Sequence, residues 1–323
     1  MVTGPRTLAQ VSEGSLLAEI FPHFAPHDGV LVGPGDDAAV LVTGGSVVAT
    51  TDAMVRGRDW LDTWSSAADV AAKSFTQNVA DVAAMGAVPT SLLVTLVADP
   101  ETPVQWAVDF SRELGRLAQA SSVAVAGGDL SSAPTGTLVV SVTALGDLGG
   151  REPVLRSGAR PGDTVAVCGT LGRSAAGLAL LHTGAEVLDE TDGVRAECVA
   201  HHLRPTAPVE EGPRAAAAGA TAMLDLSDGL LRDGSRLAAA SGVRVALDSE
   251  LLRPDTEVLA AVVGGGQEAL ECVLAGGEEH SLLATFPGEL PAGWRPLGRV
   301  EEGEGVTLDG EPQQPRGWDH FAG

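Results

Sequence analysis

The chain has 323 residues, 44% of them hydrophobic and 20% charged, with 43 acidic side chains against 20 basic for a net charge of −23. That excess repels nucleic-acid phosphates and anionic lipid, so neither is expected as a partner, whereas surplus carboxylates suit divalent cations and, through them, a phosphorylated small molecule. The length implies two medium domains.

Three scattered cysteines, Cys168, Cys198 and Cys272, show no C-x-x-C spacing, which indicates neither a disulfide framework nor a zinc site. The opening MVTGPRTLAQ lacks an apolar signal core, and no apolar run approaches the ~18 residues that span a bilayer. A cytoplasmic protein is expected, with no membrane partner.

Residues 30–32, 38–42 and 47–51 read as strands. A long helix over 67–85 opens after Ser65-Ser66 and stops at Gly86, with Ala71, Phe75, Val79 and Val82 as its apolar stripe. A strand over 91–97 precedes a helix over 104–120 that starts after Pro103. Strands over 123–126 and 137–145 follow. Glycine, proline and charge then gather in GDLGGREPVLRSGARPGD, which sets a domain boundary near Gly149 and divides the chain into 1–149 and 150–323.

Beyond the boundary come a strand over 164–169, a helix over 174–182 and a polar stretch to Glu197. A helix over 209–218, a strand over 222–226, a helix over 230–240 and strands over 243–247 and 281–286 complete the pattern. Gly264-Gly265-Gly266 and EEGEG read as loops. The helices do not fall at strict βαβ spacing, so an α+β arrangement is expected, not an all-parallel doubly wound sheet.

Acidic residues recur where these apolar elements end. Asp81 sits in the last turn of the long helix, where the dipole disfavours an anion and a bound cation would relieve the cost; its structural alternative is a solvent-facing acid. Strand alternation in TAMLDLSDGLL puts Met223, Asp225 and Ser227 on one face and Ala222, Leu224 and Leu226 on the other. A buried, unpaired Asp225 would cost several kcal/mol or become protonated. Asp228 has the alternative of capping the next helix. In VAVAGGDLSS the strand is expected to end at Gly127-Gly128, leaving room for a bulky anion, with Asp129 off the strand end. Asp37 follows a glycine turn and Asp52 ends a strand. Oxygen-ligated Mg²⁺ needs such a set, completed by waters and substrate phosphates.

The words GPGDDAAVL, TTDAMV, QNVADVAAMGA, AGGDL, LRSGARPGD, HLRP, LDLSDGLL, AGGEEHSLL and GWDHF run in order from residue 33 to 321. Together they resemble thiamine-monophosphate kinases, members of the PurM-like (aminoimidazole-ribonucleotide synthetase-related) superfamily. The resemblance implies a two-domain PurM-like α/β fold, whose N-terminal mixed sheet forms a barrel across a homodimer, with a C-terminal α/β domain and the active cleft between domains. It implies ATP-dependent, Mg²⁺-assisted phosphorylation of thiamine monophosphate to thiamine diphosphate by direct in-line transfer.

By the same resemblance Asp37, Asp52, Asp81, Asp129, Asp225 and Asp228 are expected as magnesium ligands with Thr51, and all of these acids but Asp52 as catalytic. Gly128, Arg156 and Ser227 are expected at ATP, and Asp59, Glu278 and Trp318 at the thiamine substrate. Asp59 stands where the family carries a His, and Leu130 where a hydroxyl residue is common. His201-His202 reads as a helix end, and GTLGRS lacks the Lys-Ser/Thr of a P-loop, so helix packing is the expectation there. The rival readings are another ATP-using enzyme of the superfamily, such as an aminoimidazole-ribonucleotide synthetase, and a metal-binding homologue without turnover.

Overall fold

Residues 5–34, 38–183 and 193–318 are described by the computed structural model of the chain. The backbone packs as two units, Met1–Val82 with Pro89–Gly150 and Ala83–Val88 with Arg151–Gly323.

In the first unit the elements run α1 (Glu13–Ile20), β1 (Val30–Val32), β2 (Val40–Leu41), β3 (Val47–Val55), α2 (Ala67–Ala84), β4 (Val88–Ala98), α3 (Val104–Ala120), β5 (Ala124–Ser132) and β6 (Leu138–Asp147). The main sheet has the order β3-β6-β4-β5, with β3 antiparallel to β6 and β4 parallel to β5. The expected stripe of α2 is buried, and so are Ala107, Phe110, Leu114 and Ala118 of α3. α3 therefore follows the 3.6-residue period the sequence shows, whereas α2 is buried nearly all round, Ala72, Lys73, Ser74 and Asn78 included. Sheet burial is one-sided. Met54, Val140, Val142 and Ala144 are buried, whereas Val47 and Val55 at alternate positions of β3, and Leu93 of β4, are exposed.

β5 runs further than expected, through Gly127-Gly128 and Asp129 to Ser132. Its pairing with β4 shifts register between Leu92 and Leu93, and beyond that shift Gly128 pairs with Val94 and Asp129 with Thr95. A β-carbon on Gly128 would lie 2.0 Å from the Val94 carbonyl oxygen. This glycine thus serves the close approach of a neighbouring strand, and Asp129 lies within the strand, not beyond its end.

The second unit contains β7 (Thr164–Cys168), α4 (Arg173–His182), α5 (Val194–Leu203), α6 (Glu211–Ala217), β8 (Ala222–Asp225), α7 (Leu230–Ser241), β9 (Arg244–Leu247), α8 (Ser249–Val263), α9 (Gly266–Ala275), β10 (Leu282–Phe286), β11 (Arg295–Glu301), β12 (Gly305–Leu308) and β13 (Glu311–Gln313). Its sheet has the order β13-β12-β9-β11-β7-β10-β8. β12 and β9 pair in parallel, and the other pairs of this sheet are antiparallel.

Alternation sends Val165, Val167, Leu224 and Leu283 into one core with Leu180, Leu231, Leu252 and Val273 from the helices. Ala166, Cys168, Met223 and Ala284 enter another, where Phe286 meets Trp294 edge-on at 5.2 Å. Both faces of this sheet are covered, which explains continuous apolar runs in its central strands. The glycine triplet is a hinge between two helices: Gly264 ends α8 in a left-handed conformation, φ 92°, and Gly266 already opens α9. Among the described residues no single helix is long and apolar enough to cross a membrane.

Gly128→Ala forces its new methyl against backbone, a contact only strand displacement relieves. Overpacking of this kind costs about 1–3 kcal/mol, so the variant is expected to melt several degrees lower, as differential scanning calorimetry will show.

Candidate active site

In the first unit the pleat of β3 places Thr50 and Asp52 on one sheet face and Thr51 on the other. Thr50 Oγ1 donates to Asp81 Oδ2 at 2.7 Å, so a hydroxyl from the strand fixes the acid at the end of α2. Thr51 Oγ1 instead donates to the Val142 carbonyl at 3.1 Å and accepts from Thr143 Oγ1 at 3.1 Å. Its side chain is thus directed away from the face carrying Asp52. Asp129 is exposed and accepts from Ser131 Oγ at 2.9 Å.

β3 and β5 form opposite edges of the sheet, three strand spacings of about 4.8 Å apart. Asp52 and Asp129 of one unit are therefore too far apart to share an ion. Asp59 Oδ2 accepts from the Val55 amide at 2.6 Å, closing the turn after β3. Asp37 lies outside the described residues.

The second unit brings five of its expected residues together, Arg156 standing outside the set. Asp225, the last residue of β8, is 3% exposed, and its Oδ2 lies 3.3 Å from His280 Nδ1. Past the strand ends the pairing continues: Leu226 donates to the Ser281 carbonyl at 2.8 Å, His280 to Leu226 at 2.8 Å and Glu278 to Ser227 at 2.7 Å. The Trp318 amide donates to the Asp228 carbonyl at 2.9 Å. Asp225, Ser227, Asp228, Glu278 and Trp318 thus share one backbone network. Gly317 makes the last contact possible, because at φ 149° its missing β-carbon would stand 2.1 Å from the Asp228 carbonyl oxygen. The Trp318 ring is 46% exposed. Arg156 is also exposed, its carbonyl held by Ser241 Oγ at 2.7 Å.

Asp228 does not cap α7; Gly229 occupies that position. Its carboxylate instead meets Arg236, whose Nη1 is 2.6 Å from both Asp228 Oδ2 and Asp233 Oδ1. Asp233, 2% exposed, accepts from the Asp228 and Gly229 amides at 2.9 and 3.1 Å. Burial pushes its carboxyl up to about 7; Asp225 and Asp228 act in the same direction, and the Asp228 amide and Arg236 oppose it. Sequence reasoning missed Asp233, Arg236 and His280. The spacing of Asp228, Asp233 and Arg236 around the start of α7 was the available signal.

Among the described residues no three His, Cys, Asp or Glu side chains converge on a ready-made metal position. Burial raises the thiols of Cys168 and Cys198 to about 11, so neither is an activated nucleophile.

Residues 35–148 match the family described as AIR synthase related protein, N-terminal domain, and residues 160–311 match its C-terminal domain. Fold and site therefore define an AIR synthase related protein of two α/β domains. The whole chain is 43% identical to the thiamine-monophosphate kinase of Mycobacterium tuberculosis and covers 94% of it. Among solved structures, thiamine-monophosphate kinase from Stenotrophomonas maltophilia is 32% identical, with a TM-score of 0.82 over 94% of this chain and 98% of that one. AaThiL complexed with AMPPCP and TMP is 34% identical, with a TM-score of 0.78 over 89% and 91%. The chain belongs to the thiamine-monophosphate kinase family.

The raised Asp233 carboxyl has a stability consequence. Free aspartate titrates near 3.9, so between there and about 7 the folded chain holds a proton that the unfolded chain has lost. Stability from this group is complete below that window and falls as pH rises through it. In chelator-containing buffer, the wild-type melting temperature is expected to fall relative to Asp233→Asn across this range; parallel melting curves would exclude it.

Proposed function

We propose that this chain transfers the γ-phosphoryl group of ATP to thiamine monophosphate, giving thiamine diphosphate and ADP. The observation that carries the reading is the network joining Asp225, Ser227 and Asp228 to Glu278 and Trp318. Full-length identity to thiamine-monophosphate kinases and likeness to AaThiL complexed with AMPPCP and TMP support it.

The acceptor is a phosphate oxygen, already ionised near neutral pH, so no general base is needed. Alignment and charge neutralisation then supply most of the acceleration. Arg156 offers a planar donor fork to ATP phosphate, and Ser227 a hydroxyl beside it. Trp318 presents an exposed indole suited to a cationic thiazolium, and Glu278 a partly exposed carboxylate to the same moiety. Asp59, whose Oδ2 accepts from the Val55 amide, is assigned to the substrate by its place in the family pattern.

Magnesium fits the donor set: the acids are hard oxygen ligands, Asp228 and Asp233 share the single guanidinium of Arg236, and burial first, with Asp225 and Asp228 adding to it, raises the Asp233 carboxyl. Asp52 and Asp81 would hold one ion, without the Thr51 hydroxyl, which bonds on the opposite sheet face, and Asp225 and Asp228 would serve the nucleotide in their own unit. Asp129, at the other sheet edge, serves a separate ion. Bound Mg²⁺ would supply charge neutralisation to the transferring phosphate.

We also propose a cytoplasmic homodimer. The free cysteines suit a reducing compartment. The open sheet face bearing Val47, Val55 and Leu93 suits a second copy.

ADP release is expected only with Mg²⁺, ATP and thiamine monophosphate together; silence with this acceptor and turnover with another phosphorylated compound would replace the substrate. Asp81→Asn and Asp225→Asn are each expected to lower kcat about 100-fold or more with the fold intact, and wild-type rates in both would remove the metal role. Leu93→Lys is expected to shift sedimentation from dimer to monomer; a wild-type monomer at micromolar concentration would exclude the dimer.

A further inference from the structure

One buried carboxylate stands directly behind the residues assigned above. Glu279 is 1% exposed, and it closes the amino terminus of α4. Its Oε1 accepts from Thr170 Oγ1 at 2.5 Å and from the Arg173 amide at 3.3 Å, and its Oε2 accepts from the Ser174 amide at 3.0 Å. His201 Nε2 lies 3.6 Å from Oε1 and 3.3 Å from the Glu279 carbonyl oxygen. The first amides of a helix have no intrahelical acceptor and favour an anion. Here that anion is internal, which explains how GTLGRS opens a helix without cradling phosphate.

The residues flanking Glu279 are in left-handed backbone, φ 58° at Glu278 and 54° at His280. Side chains other than glycine disfavour that region, so two such residues around one position need an external hold. The buried Glu279 carboxylate, with three donors, supplies it. Each flanking residue leads to the site: the Glu278 amide binds the Ser227 carbonyl and its Oε2 lies 3.4 Å from His202 Nδ1, while the His280 ring faces Asp225.

We propose that Glu279 is a positioning residue: locked on the start of α4, it keeps Glu278 and His280 in left-handed conformation, directing Glu278 to the thiamine moiety and bracing Asp225 toward Mg²⁺. The proposal rests on the functional reading above. Without that lock the segment relaxes to ordinary backbone, Glu278 turns from the substrate and His280 leaves Asp225.

Glu279→Gln keeps the shape and removes the charge; Glu279→Ala removes both, and the Gln variant decides if the Ala variant does not fold. Leu252→Ala, in the core at α8, controls for lost stability alone. By calorimetric titration, Glu279→Gln is expected to bind thiamine monophosphate about tenfold more weakly, with Glu279→Asp recovering part of the loss. The Mg²⁺ concentration that half-raises the melting temperature with AMPPCP should increase as well. Leu252→Ala should melt lower yet keep wild-type substrate affinity.

Wild-type affinities in Glu279→Gln, or losses that Leu252→Ala reproduces at equal destabilisation, would overturn the proposal. If wild-type protein binds no thiamine monophosphate, the functional reading fails by itself. The His280 ring ¹⁵N resonances then decide: a shift in Glu279→Gln upholds the hold on His280, and unchanged resonances overturn it.

Discussion

The pairing of β8 with β10 continues past both strand ends, and everything in the carboxyl-terminal site depends on that continuation. Hydrogen bonds from Leu226, Glu278 and His280 fix two acid-bearing segments against each other before any side chain is considered. A one-residue slip would send Asp225 into the opposite core, among the leucines packed against Leu224. Register is therefore as much a determinant of the chemistry as residue identity. The burial of both sheet faces keeps that register from drifting.

Charge is handled differently in the two units. In the first, a neutral hydroxyl on Thr50 orients Asp81. In the second, Arg236 and His280 stand against carboxylates that are almost fully buried. A buried acid held by one partner is costly, and removing the partner alone is costlier still. Such pairs suit a site that must accept further positive charge, because the protein already carries the desolvation cost. The chemistry assigned to them requires no proton abstraction, which fits the absence of any activated thiol among the described residues.

Much of this was legible from residue order. Helix α3 spans the residues its Pro103 start and apolar spacing imply, and the alternation Met223, Asp225 against Leu224, Leu226 divides the two cores as written. The misses have physical causes. Gly127-Gly128 looks like a strand stop, but a register shift and a tightly paired neighbour make glycine necessary inside the strand. Thr51 adjoins Asp52 in sequence, and the pleat separates their side chains. Pro254 inside α8 and the glycines after it hid two helices. Glu279 was overshadowed by its neighbour because a linear word does not tell which of two adjacent acids is buried.

The Trp318 amide meets the Asp228 carbonyl from ninety positions downstream. During synthesis the ribosome releases β8 and its loop long before their last donor emerges, so the sheet can form while this corner stays loose. Ordering of the loop is then a late event in the life of the nascent chain.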